Sequence, residues 1–137
     1  MPLIMPWQVA LLLATLSRGL YCGRGHPSPQ QEFALSELVF TGLVVDSSTA
    51  PDSGSWMDGT IYRVQPLEVF RGNPDKVVRL FSENSTGRFP MTVGAKYLVF
   101  ADSEFGRLGI DNCGNSAPLN HAQRALTIVR TLSRTHG

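Results

Sequence analysis

The spacing of apolar residues changes character along this chain, and each change predicts a different kind of element. The chain opens with an unbroken apolar run over 7–16, WQVALLLATL, which is too short to cross a bilayer as a helix. From 38 to 101 the apolar residues fall into short β-branched and aromatic runs divided by Gly, Pro, Asn, Asp and Ser, the pattern of strands joined by turns and loops. Towards the end Ala122, Ala125, Leu126, Val129 and Leu132 recur at helical spacing. They make one apolar stripe on a helix over about 120–134.

Between these landmarks the local signals are specific. Ser28 precedes Pro29 and stands three residues before Gln31, so it can cap a short helix over 29–35 and close a capping box. Residues 38–45 (LVFTGLVV) predict a first strand, and Gly42 at its middle predicts a bulge or sharp bend of the kind a closed barrel requires. The polar stretch 46–59 reads as a long loop. A second strand spans 60–70, with its apolar set passing from Tyr62 and Val64 to Leu67 and Val69 as Pro66 shifts the alternation. After a turn at 71–75 come a third strand over 76–82, a loop over 83–90, and a fourth strand over 92–94 and 96–101. A fifth begins at 107–110 and runs into 111–113. Asn120 and Gln123 read as a capping pair at the start of the last helix. The prediction is a mainly β chain: a five-stranded Greek-key barrel of the OB type with a short helix before it and one after it.

Composition narrows the class. At 137 residues with 42% hydrophobic and 17% charged content, the chain suits one folded domain and argues against disorder. A net charge of +1, scattered along the chain, gives no basic face, so a nucleic-acid partner is not expected. The early apolar run is followed by Ser17-Arg18-Gly19, with small residues where a signal peptidase cutting after Gly19 would read them. Residues 1–19 are therefore read as a signal peptide, although MPLIMP carries no Lys or Arg, and the alternative is a buried N-terminal helix or strand. No later run is long enough to span a membrane. The expectation is a secreted, extracellular protein with a single domain over 20–137. Cys22 and Cys113 are the two cysteines. In an oxidising compartment an even count points to one disulfide, the other reading being two free thiols. Cleavage after Gly19 keeps both, whereas cleavage after Gly25 would strand Cys113.

Catalytic chemistry is not expected. The cysteines are better explained by a disulfide than by nucleophilic work, and His26, His121 and His136 are scattered, without a paired base. Ser53-Gly54-Ser55 lacks the strand-turn-helix setting of a nucleophile elbow. Two Cys and three separate His do not make a zinc site, and Asp46, Asp52 and Asp58 lack calcium-loop spacing. No cofactor and no metal of its own are expected. Asn84-Ser85-Thr86 forms an N-glycosylation acceptor at Asn84 within a surface loop.

Taken in order, the motifs resemble the netrin-like module of the tissue inhibitors of metalloproteinases. The resemblance rests on Leu20-Tyr21-Cys22, then His26-Pro27, Gln30-Gln31, Phe33 and Ser36-Glu37-Leu38-Val39-Phe40. It continues through Val93-Gly94-Ala95-Lys96-Tyr97-Leu98-Val99-Phe100 and the segment from Leu108 to Cys113. It implies a Cys22–Cys113 pairing and inhibition of secreted zinc metalloproteases by the N-terminal end. The free amine and carbonyl of Leu20 would chelate the protease zinc, and Tyr21 would enter its specificity pocket. Cys22 and Gly23 would complete the wedge. The chain departs from the family at Leu20, where the family has a disulfide-bonded cysteine, and nothing over 85–90 supplies that partner. Tyr21 is larger than the family's usual residue, and the family's second, disulfide-rich domain is replaced by one helix. The competing expectation is a non-inhibitory extracellular module that binds a protein partner.

Overall fold

The computed structural model describes Cys22 and residues 25–50, 58–104 and 106–136. The signal peptide read over 1–19, and Leu20, Tyr21 and Gly23 of the wedge, lie outside the described residues. The capping box at Ser28 forms: Gln31 N donates to Ser28 Oγ at 3.1 Å, and Ser28 N donates to Gln31 Oε1 at 2.9 Å. It starts helix α1, Pro29–Leu35. Arg71 closes the other end, its Nε donating to Ser36 O at 2.8 Å while its guanidinium lies 5.6 Å from the centre of the Phe33 ring.

The strands are β1 (Leu38–Ala50), β2 (Gly59–Arg71), β3 (Val78–Glu83), β4 (Lys96–Glu104), β5 (Arg107–Gly109) and β6 (Ala117–Pro118). They form one mixed, six-stranded sheet. β1 pairs antiparallel with both β2 and β4, β2 with β3, and β4 with β5 and β6. One parallel link, Phe81 opposite Gly109, joins β3 to β5. The pairings β1–β2–β3–β5–β4 thus return to β1, a hydrogen-bonded ring of five strands. A 3-10 turn, Leu119–His121, leads into helix α2, Gln123–His136.

The ring closes because β1 bends. Its register against β2 shifts between Thr41 and Gly42, where a Cβ on Gly42 would run into Val64 Cγ1. Glycine is required there because the space beside it is filled by the Val64 and Phe40 side chains. Alternation along the bent strands then fills two cores. Leu38, Phe40, Val64, Leu80, Tyr97 and Val99 point inward with their neighbours. Val39, Leu98, Phe100 and Phe70 point outward and are covered by Phe33 of α1, by Ala122 just before α2, and by Leu126 and Val129 of α2. Ala125 and Leu132 pack against the same layer, so the helical stripe lies on the strands as expected.

The structure corrects the sequence reading at several points. Residues 46–50 are strand and not loop, because Asp46 to Ala50 pair residue by residue with Arg63 to Gly59. Leu67 and Val69 are 50% and 42% exposed, and it is Phe70 that is buried, in the outer layer beneath the helices. Leu67 sits at the register shift between Thr41 and Gly42, and a second shift lies between Val39 and Phe40, so the alternation resets twice. Residues 92–94 form a turn, with Ala95 N donating to Thr92 O at 3.1 Å and Gly94 at φ +91°. The fifth strand ends at Gly109, 111–113 is irregular, and β6 was not anticipated. Asn120 lies inside the 3-10 turn; Leu126 N donates to Ala122 O at 2.8 Å, so α2 starts later than the Asn120–Gln123 pair implied. No helix among the described residues is long and apolar enough to cross a membrane.

Candidate functional site

The N-terminal approach to the ring is held at successive points. Cys22 is disulfide-bonded to Cys113 across a separation of 91 residues, with their Cα atoms 5.4 Å apart. Gly25, at φ +74°, then turns the chain and donates its N–H to Cys22 O at 2.9 Å. His26 Nδ1 lies 2.6 Å from Cys113 O. A carbonyl oxygen only accepts, so Nδ1 carries the proton and donates.

Asn115 and Glu32 continue the clamp. Asn115 Nδ2 donates to Pro27 O at 2.9 Å and to Glu32 Oε1 at 3.0 Å, and Asn115 N donates to the same oxygen at 2.5 Å. Glu32 occupies the first turn of α1, where a carboxylate also suits the positive end of the helix. A side chain at Gly114 would run into that carboxylate, which accounts for glycine directly after Cys113. On the far side of the disulfide, Cys113 N donates to Asp111 Oδ1 at 2.9 Å. Asn112 Nδ2 donates to Thr86 O at 2.9 Å, and Asn112 N to Gly87 O at 3.1 Å.

Three separate stretches therefore meet: Cys22 with 25–32, 84–87 and 111–115. Of the residues read as a wedge, the structure places Cys22 on this platform. Asn84 stands at the start of the same loop, exposed, with its backbone N–H donating to Asp58 O at 2.9 Å. His121 lies exposed in the 3-10 turn. Glu32, Asn112 and Asn115 were not singled out from the sequence. The run Asn112-Cys113-Gly114-Asn115 was the available signal, since small and amide residues around a cysteine mark a tightly hydrogen-bonded turn.

The platform offers hydrogen bonds and a covalent tie, the equipment for holding a chain end. Among the described residues no group of three or more His, Cys, Asp or Glu is placed to hold a metal ion. A comparison with protein-family models and a search of curated proteins each find nothing that matches this chain.

Proposed function

We propose that this protein is a secreted, non-catalytic inhibitor of zinc metalloendopeptidases that acts through its N-terminal end. On this reading the mature chain begins at Leu20, and the closed five-strand ring is a Greek-key barrel of the OB type, as in the netrin-like inhibitors it resembles. The α-amine and carbonyl of Leu20 chelate the zinc of the target protease, and neutral amine nitrogen and carbonyl oxygen are competent donors for that metal. Tyr21 enters the pocket that selects among proteases, with Gly23 flanking the wedge. An attached glycan at Asn84 would sit at the start of the 84–87 loop that Asn112 ties to the disulfide segment.

The observation that carries this reading is the clamp on Cys22 and residues 25–32. A chelating end gains affinity when it is held in its bound position beforehand, because less freedom is lost on binding. The disulfide at Cys22, together with the contacts of His26, Pro27 and Glu32, supplies such a base directly behind Leu20 and Tyr21. Asn112 adds a second, non-covalent tie to the 84–87 loop.

The test is a comparison of the mature protein with a form carrying one Ala ahead of Leu20, against a panel of secreted zinc proteases. The extension converts the chelating amine into an amide, so inhibition is expected to weaken by about 100-fold or more with an unchanged melting temperature. If the mature protein inhibits no protease at about micromolar concentration, the inhibitor reading fails and the protein-binding module takes its place. If the extended form inhibits equally well, some other surface does the work.

A further inference from the structure

The outward face of β1–β2–β3 carries a feature that the N-terminal reading does not use. Tyr62, Val64, Val78 and Leu80 fill the interior of the ring, so the residues alternating with them on β2 and β3 face away from it. There a concavity of about 340 Å³ is lined by Ser48, Ile61, Arg63, Val77 and Arg79. Arg63 and Arg79 are directly opposite one another on adjacent strands. Like charges in that relation weaken a sheet unless something of opposite sign comes between them. Asp46 answers only one of them, reaching Arg63 Nη1 at 3.7 Å with both side chains about half exposed. Arg79 has no ion-pair partner among the described residues.

We propose that this concavity binds an acidic peptide segment of a partner protein, with one carboxylate between Arg63 and Arg79 and an aliphatic side chain against Ile61 and Val77. Charge sets the number of anions. Two arginines and one aspartate leave a single positive charge, which matches one carboxylate, and Asp46 would repel the second and third anions of a sulfated sugar chain. The walls set the rest of the ligand. Ile61 and Val77 offer nothing to hydroxyl groups and would bury an aliphatic chain. Ile61 and Arg63 are two positions apart on β2, and side chains two apart on an extended peptide share a face with the same repeat. The matching ligand is therefore an acidic residue and an aliphatic residue separated by one position. The arginine forks favour a carboxylate because they can donate in pairs to its two oxygens.

The experiment uses the mature protein and a fluorescein-labelled, end-capped pentapeptide with Glu and Val separated by one residue, followed by polarisation. A saturable complex with a dissociation constant below about 1 mM is expected. It should weaken about tenfold in R63Q and in R79Q, each losing a charge-assisted contact, and again as salt rises from about 20 to about 200 mM. Melting temperatures of the two exposed-site variants show that the fold is kept. The proposal is overturned if no saturable binding occurs, if the Gln analogue of the peptide binds as well, or if the R63Q/R79Q double variant binds with unchanged affinity. Displacement of the peptide by a heparin-derived oligosaccharide that binds more tightly would overturn the choice of occupant. The Ala-extension test leaves this face untouched, so the two readings fail separately.

Discussion

At Glu104, burial and the carboxylates of Glu83, Asp111 and Asp102 hold the side chain above the usual carboxylate range. A carboxyl whose pKa is raised in the folded state binds its proton more tightly there than in the unfolded chain. Its unfavourable contribution is full above the folded pKa and is relieved as pH falls towards the unfolded value. Stability should therefore rise slightly as pH drops from neutral into the acid range of this group, and E104Q should be the more stable protein at neutral pH with a flatter pH profile. Most of Glu104 remains in contact with solvent, so its desolvation is only partial and screening keeps the effect small. Melting temperatures of both proteins between about pH 5 and 7.5 check the sign, and a steeper profile in the variant would refute it. The residues of the clamp show the limit of reading at this scale. Ser28 and Gln31 were legible because their partners are three positions apart. Glu32 and Asn115 meet across 83 residues, and no local spacing encodes such a contact.

Among the elements, α2 was the most readable because its stripe repeats over several turns. Leu126 is 8% exposed and lies in the layer formed with Val39, Leu98 and Phe100. L126D should cost about 2–4 kcal/mol in chemical denaturation, through lost packing and a buried charge without a partner; an unchanged midpoint would mean that the helix contributes nothing to the fold. β4 was found as a strand, but its run Tyr97-Leu98-Val99-Phe100 carried no alternation to read. The reason is that both its faces are buried, one inside the ring and one under the helices, as happens in any strand between two layers. The polar end of β1 was misread for the opposite reason. Asp46 to Thr49 are exposed, and pairing with β2 rather than burial makes them a strand.

For the whole molecule, the Cys22–Cys113 bond ties the start of the described chain to the segment that follows β5. Closing a loop of 91 residues removes much of the freedom of the unfolded chain, so the C22S/C113S double variant should lose about 2–5 kcal/mol. Urea denaturation of the oxidised wild type and of the cysteine-free variant measures it, and equal midpoints would deny the bond its role. On the inhibitor reading the same variant should inhibit poorly even where it remains folded, since the base behind Leu20 is gone. The sequence alone determined what depends on neighbours: the capped α1, the amphipathic α2, the glycine at the bend of β1 and the even pair of cysteines. Each of these is written in spacing or in the conformational demands of one residue. The tertiary structure alone decided which strands close on one another, where the register slips, and which distant side chains meet. It brought Glu32 to Asn115, Asn112 to the 84–87 loop and Arg63 beside Arg79. Those contacts arise from the register and closure of the sheet, quantities set by packing over the whole chain and not by any local pattern.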